Sequence, residues 1–209
     1  MLSRLFFELL DGKLETTFLG EIEKMRESCS FSLLYLGISK DADLNKLKRG
    51  FYHTATDSSY RDAEWLYISI PTLLCPSLAP QNKQIISVVV YLAKGKYKDI
   101  TNWKIFKENL IADTINRIEK YLPDIKKHIE VIEAATPKTL ERYTLNTDGA
   151  AYGWEVSVDQ IGDNRLPQQT PIGNLYLTGH WTRPGPGICA VVSSGWGVAN
   201  LIMEKEKWR

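Results

Sequence analysis

The chain has 209 residues, 44% of them hydrophobic, which is enough for one sizeable domain or two small ones. Its 26 lysines and arginines nearly balance its 25 aspartates and glutamates, and this balance argues against nucleic acid as a partner. No apolar run approaches the roughly 20 residues that a membrane-spanning helix needs. Three dispersed cysteines, with no metal-ligand cluster and no recognisable signal peptide, predict a cytoplasmic protein without structural zinc.

The first part of the chain alternates predicted helices and strands. Residues 2–10 are predicted to form a helix that packs on its own domain, although they are apolar enough for peripheral membrane contact as an alternative. A second helix is predicted over 19–27. Residues 31–38 are too apolar for a solvent-facing edge and predict a buried strand, whereas the polar residues 52–61 predict a loop.

Two further strands are predicted over 65–70 and 84–92. Three prolines in the connection between them exclude regular ladder bonding there, so we expect an irregular, antiparallel connection. The continuous β-branched content of 85–91 predicts a strand at the centre of a sheet and covered on both faces.

The clearest helix is predicted over 103–122, where apolar residues recur at intervals of three and four behind a cap at Thr101 or Asn102. A strand over 127–134 and a short helix over 137–143 follow. The predicted fold class is therefore a mixed α/β (α+β) arrangement, with a largely antiparallel sheet and flanking helices.

Residues 147–169 are rich in glycine and proline and predict a loop suited to covering a pocket. Tyr152 and Trp154 flank Gly153 within it. Two interpretations are open for these aromatic side chains: they line an apolar substrate channel, or they simply anchor the loop.

The segment on which the functional prediction depends lies near the end of the chain, at 173–203. It predicts a buried strand over 174–178, a glycine- and proline-rich turn over 179–187 and a helix from 188. Such a helix N-terminus holds electron-rich groups, because its first amides have no intrahelical partner and carry the positive end of the dipole. Two glycines inside the helix, Gly195 and Gly197, predict a bulky neighbour against that face, and a ligand-free buried connection is the alternative.

The run NLYLTGHWT at 174–182, followed by PGPG at 184–187 and the Ser194-Gly195 pair, resembles the C-terminal flavin-binding segment of the phytoene desaturase and carotenoid isomerase family, which includes the retinol saturases. Residues 149–153 and 168–171 are similar to that family as well. The resemblance implies a flavin-dependent enzyme that acts on long apolar polyenes or isoprenoids. It also implies that 85–92 forms one wall of an apolar tunnel.

The resemblance implies a set of FAD-binding residues around the turn and the first helical turn, namely Gly179, His180, Trp181, Gly185, Gly187, Ile188 and Cys189. No catalytic residue is assigned, and Tyr152 and Trp154 are the candidate substrate contacts. His180 is interpreted as a neutral or cationic donor to a phosphate or ribityl oxygen, with a loop histidine bonded to backbone as the alternative. Cys189, in the first helical turn, is either a small packed residue or an activated thiol.

No GxGxxG follows a predicted strand, so the fingerprint that would hold the ADP half of FAD is absent from the sequence. We therefore expect a C-terminal portion, with 1–172 as a partial substrate region and 173–209 as the end of an FAD-binding domain. Such a portion needs the missing N-terminal half as its partner and is inactive alone. The competing hypotheses are a non-enzymatic α+β module that binds an apolar ligand or a partner protein, and a thiol enzyme that uses Cys189.

Overall fold

The structure is a computed structural model that describes residues 5–6, 16–44, 47, 51–54, 65–93, 95, 97 and 99–206. The chain divides into two compact units, which we call the terminal unit (1–29 and 141–209) and the sheet unit (30–140). The functional labels predicted for 1–172 and 173–209 stay predictions, and the chain divides at other positions. None of the described helices combines the length and apolarity needed to cross a bilayer.

Most of the elements follow the predicted order, with shifts of a few residues at their ends. In the described part of the chain, the helices are α1 (Thr16–Lys24), α2 (Trp103–Glu119), α3 (Pro137–Thr144) and α4 (Ile188–Lys205), and the strands are β1 (Ser30–Ser39), β2 (Phe51–Thr54), β3 (Leu66–Ser69), β4 (Lys83–Leu92) and β5 (Ile129–Ala135). The helix predicted over 2–10 lies mostly outside the described residues.

The described strands of the sheet unit form one sheet in the order β2-β3-β4-β1-β5, and each neighbouring pair is antiparallel. The longest pairing joins β1 to β4, from Ser30 opposite Leu92 to Ser39 opposite Lys83. The predicted mixed fold class and the central place of β4 are therefore confirmed.

One face of this sheet is buried and the other is only partly exposed, and we call them the closed face and the open face. Side chains that alternate along the strands, among them Leu36 and Val88, are buried in one core with Ile115 and Ile118 of α2. Their neighbours on the opposite face, such as Val89, are partly exposed. The prediction that β4 is covered on both faces is therefore wrong, because β-branched residues occupy both faces while α2 packs on only one of them.

The connections of the sheet unit agree only in part with the predictions. The predicted loop at 52–61 is wrong at its start, where β2 pairs with β3, and 55–61 lie outside the described residues. The link between β3 and β4 is irregular as predicted, with short 3-10 helices at Pro71–Leu73 and Pro76–Leu78. Asn102 is the cap of α2, since its Oδ1 accepts a hydrogen bond from the Ile105 amide at 3.1 Å.

The terminal unit joins chain segments that are distant in sequence. Residues 26–29 run antiparallel to 151–155: the Ser28 amide donates to the Gly153 carbonyl at 2.8 Å, and the Ala151 amide donates to the Cys29 carbonyl at 3.0 Å. The stretch 147–169 contains no α-helix or strand, as predicted, but it is not only a cover. Several of its residues join a core with α1, which includes Phe18, Ile22, Ala150, Trp154, Leu166, Leu177 and Trp181.

The strand predicted over 174–178 is wrong. Only an isolated antiparallel bridge between Gln169 and Tyr176 forms there, supported by a 2.7 Å hydrogen bond from the Leu177 amide to the Gln168 carbonyl. Asn174 has a positive φ of 65° and Pro171 has no amide hydrogen, so neither residue extends the ladder. The helix predicted to follow is confirmed as α4.

Candidate functional site

Among the described residues, no side chain caps the N-terminus of α4. Gly187 is the N-cap residue with φ +105°, and the Val191 amide gives the first intrahelical hydrogen bond to its carbonyl at 2.9 Å. Within the described residues, the amides of Ile188 and Cys189 donate to no protein group. A Cβ added at Gly187 would meet nothing within 4 Å, so the space beside it is open. This end of the helix is thus available to an electron-rich ligand.

The first turns of α4 also present an apolar stripe to solvent. Ile188 is 85% exposed, and Val192 and Trp196, one and two turns further along, are 66% and 69% exposed. Cys189 is exposed as well. The open helix end is therefore bordered by uncovered apolar side chains.

The turn that precedes α4, residues 179–187, is attached to the helix through Ser194. The Gly179 amide donates to the buried Ser194 Oγ at 3.2 Å, and Gln168 Nε2 donates to the Ser194 carbonyl at 2.7 Å. A Cβ at Gly197 would lie 2.7 Å from Gln168 Oε1. The predicted neighbour of the helical glycines is thus confirmed at Gly197, where it is the side-chain amide of Gln168. At Gly195 the nearest group is Thr178 Oγ1, 3.7 Å from the added Cβ.

Sequence reasoning missed Arg165, which is only 1% exposed. Its Nη1 donates to the His180 carbonyl and its Nη2 donates to the Trp154 carbonyl, both at 2.9 Å, while Nε is buried without a hydrogen-bond partner. The Nε atom lies 3.0 Å from the position that a Cβ of Gly185 would take. Burial lowers the pKa of the guanidinium, and among the described residues no carboxylate pairs with it. An arginine in a polar GDNR run gives no sequence signal for such burial.

His180 lies directly against the backbone of Gly153. A Cβ at Gly153 would come within 2.6 Å of His180 Cδ2, and the His180 Nε2 atom is buried without a hydrogen-bond partner. Burial and, to a lesser extent, the Arg165 charge lower the pKa of the imidazole. Both effects favour the neutral form of the ring.

The two predicted tryptophans lie in the core of the terminal unit. Trp181 is 5% exposed and its Nε1 donates to Asn146 Oδ1 at 3.0 Å, while Trp154 is 3% exposed and meets Trp181 edge to face at 4.7 Å between centroids. Tyr152 is 38% exposed, and partial burial raises its pKa. The candidate residues 179–189 thus form a continuous loop and helix start that offer mainly main-chain groups.

The half-buried thiol of Cys29 gives a direct test of the terminal unit. Burial raises the pKa of Cys29 to about 11 from an ordinary 9.0, whereas Cys75 and Cys189 are exposed. We expect iodoacetamide at pH 8 to modify Cys75 and Cys189 readily and Cys29 roughly a hundredfold more slowly, because the thiolate is the nucleophile. Mass spectrometry of a native time course checks this result. Equal rates for the three thiols in the folded chain would contradict the burial of Cys29.

The fold is that of a known oxidoreductase structure. An oxidoreductase from Methanosarcina mazei matches 91% of this chain and 39% of its own length, with a TM-score of 0.51 and 14% identity. No protein-family model matches the chain.

Proteins of similar sequence indicate more closely the kind of oxidoreductase to which the chain is related. Prolycopene isomerase 2 of an Oncidium hybrid cultivar is 34% identical over 134 residues, which cover 62% of this chain and 23% of that protein. The zeta-carotene-forming phytoene desaturase of Myxococcus xanthus is 27% identical over 209 residues, which cover 95% of this chain and 39% of that protein. The chain is homologous to carotenoid desaturases and isomerases, which confirms the resemblance, and it spans about a quarter to two fifths of the length of these relatives.

Proposed function

We propose that this chain carries part of the FAD site of a flavin-dependent oxidoreductase or isomerase that acts on a long apolar polyene or isoprenoid of the carotenoid or retinoid type. The observation that carries the proposal is the uncapped, open N-terminus of α4 behind the 179–187 turn. Homology to carotenoid desaturases and isomerases supports the same class.

The residues at the helix start fit an electron-rich ring edge. The amides of Ile188 and Cys189 donate no hydrogen bond to any residue that the structure describes, and Gly187 leaves room for close approach. FAD would supply the redox chemistry when bound, and these amides would orient its ring and stabilise negative charge on it. The Trp181 indole does not fit as a direct contact, because its N–H is already bound to Asn146.

The ADP half of FAD needs a site that the described residues do not offer. The sequence has no glycine fingerprint between a strand and a helix, so we propose that an N-terminal half of a relative's type supplies it and that the chain is inactive without this partner. The share of its relatives that the chain spans supports this part of the proposal.

The open face of the sheet is proposed as the wall that binds the apolar substrate. At one end of this face, the rings of Phe31, Trp65 and Tyr91 form a cluster, with the Trp65 and Tyr91 rings stacked at 5.3 Å between centroids. Leu33 and Val89 continue the face along β1 and β4. Flat aromatic and aliphatic side chains bind an elongated hydrocarbon by burial of apolar area, without polar contacts.

The decisive experiment measures whether the purified complex shows the absorbance of bound flavin. We expect the chain, coexpressed with the part of the Myxococcus xanthus desaturase that it does not match, to copurify with FAD and to show a flavin absorbance spectrum. Gly187→Val, which fills the open space at the helix start, is expected to lower the flavin content about tenfold, a loss of roughly 1.4 kcal/mol in binding free energy.

The matched control is Gly162→Val, which also adds a side chain at a positive φ with nothing within 4 Å. This variant should keep its flavin. A colourless complex would contradict the proposal. If the same colourless protein takes up retinol or β-carotene, the non-enzymatic binding module becomes the better account, and the open sheet face is the observation that favours it.

A further inference from the structure

The buried guanidinium of Arg165 contacts three parts of the candidate site at once. Nη1 holds the carbonyl of His180 at the start of the 179–187 turn, Nη2 holds the carbonyl of Trp154, and Nε lies beneath Gly185. The backbone of Arg165 takes part as well, since Arg183 Nε donates to its carbonyl at 2.9 Å. One side chain thus links the start of the turn at His180 to the main chain at Trp154.

No negative charge neutralises this guanidinium in the described part of the chain. The backbone carbonyl of the acidic residue Glu155 lies 3.5 Å from Nη2. Its carboxylate does not pair with Arg165, because it pairs with Arg26 at 2.7 Å. A buried cation without a carboxylate is costly, because it has lost its water and gained only neutral acceptors. Such a group persists where its position serves the site.

His180 receives the electrostatic effect of this cation. Its carbonyl is bonded to Arg165, its ring is pressed against Gly153, and its Nε2 atom is buried without a partner. The other charged group on the turn, Arg183, is also positive and is bonded to the carbonyls of Arg165 and Asp163. The charged groups described around His180 thus disfavour a second positive charge on its ring.

We propose that Arg165 is a positioning residue of the 179–187 turn, which fixes the main chain at His180 and keeps the imidazole neutral, so that the turn offers a ligand one uncharged ring nitrogen. The ligand group that meets this nitrogen is then bound by a hydrogen bond and not by an opposite charge on the ring. Only the identity of the ligand rests on the proposed function. The protonation state is measured without flavin, so the two proposals fail separately.

The test is an NMR titration of the three histidines in the 209-residue chain. In the unchanged chain, we expect the pKa of His180 to lie below its ordinary value of 6.5. Arg165→Gln keeps an N–H donor for a carbonyl but removes the charge, and it should shift the pKa of His180 upward. Arg165→Lys keeps the charge and should leave the pKa of His180 low.

Thr182→Val is the structural control. It removes a buried 2.6 Å hydrogen bond from Thr182 Oγ1 to the Leu166 carbonyl but leaves the guanidinium in place. Its His180 titration should match that of the unchanged chain. An unshifted His180 in Arg165→Gln, or an equal shift in Thr182→Val, would overturn the proposal.

Hydrogen exchange of the unchanged chain keeps the proposal testable if the arginine variants do not fold. The Thr182 and Arg183 amides donate to the carbonyls of Gly179 and Leu166 within the turn that Arg165 holds. We expect both amides to exchange only through global unfolding of the terminal unit. Exchange by an easy local opening would contradict a turn fixed by Arg165.

Discussion

Replacing Gly153 by alanine is expected to destabilise the terminal unit by about 3 kcal/mol, through backbone strain and steric overlap together. Gly153 has a φ of +69°, where an L side chain is strained. The added Cβ would lie 2.6 Å from His180 Cδ2 and 2.9 Å from the His180 carbonyl oxygen. The carbonyl is backbone and is held by Arg165, so this neighbour has little freedom to move.

The variant Gly162→Ala separates the energetic cost of backbone strain from that of steric overlap. Gly162 has a similar φ of +60°, but a Cβ there would meet nothing within 4 Å. Its replacement should therefore cost only about 1 kcal/mol. Urea unfolding followed by tryptophan fluorescence measures both variants, since Trp154 and Trp181 lie in the core of the terminal unit. If Gly153→Ala and Gly162→Ala lower the free energy of unfolding equally, then His180 does not pack closely on Gly153.

Val88→Ala is expected to destabilise the sheet unit by about 2 kcal/mol, because it removes buried methyl groups and leaves a cavity. Val88 is fully buried on the closed face, in the core that Leu36 and Ile118 share. The side chains around it belong to β-strands and to α2, and rigid elements of this kind collapse only partly into a cavity.

Val89→Ala is the matched control for this substitution. Val89 is the next residue of the same strand, has the same side chain and lies partly exposed on the open face. We expect its replacement to cost less than about 1 kcal/mol, since little apolar area returns to water. Thermal or urea unfolding compares the two variants, and a larger loss in Val89→Ala would mean that the closed and open faces have been assigned the wrong way round.

Local sequence patterns were sufficient to predict most of the helices and strands of the sheet unit. Apolar periodicity predicts α2, and Asn102, one of the two predicted caps, is the cap that forms. The β-branched run located β4 at the centre of the sheet. The short strand β2 was missed, because the polar residues that follow it favoured a loop and outweighed the strand propensity of Phe51 and Tyr52.

The candidate site was predictable only where its chemistry is carried by the main chain. Glycines and prolines mark the turn and the helix start in the sequence, and the uncapped α4 N-terminus follows that pattern. The apolar run at 175–177 suggested a strand, yet a strand needs a partner, and it meets only a single bridge. The burial of Arg165 depends on carbonyls 15 and 11 residues away, and no local pattern records such a contact.

The terminal unit, drawn from both ends of the chain, has a consequence for biosynthesis. Residues 26–29 leave the ribosome before their partners at 151–155, which emerge only after the whole sheet unit has been translated. The sheet unit contains its own core and its described strands have all been translated by then, so we expect it to fold first. Until the second segment arrives, the apolar side chains of α1 remain uncovered on the nascent chain, and this interval is the stage at which chaperones and aggregation compete for the protein.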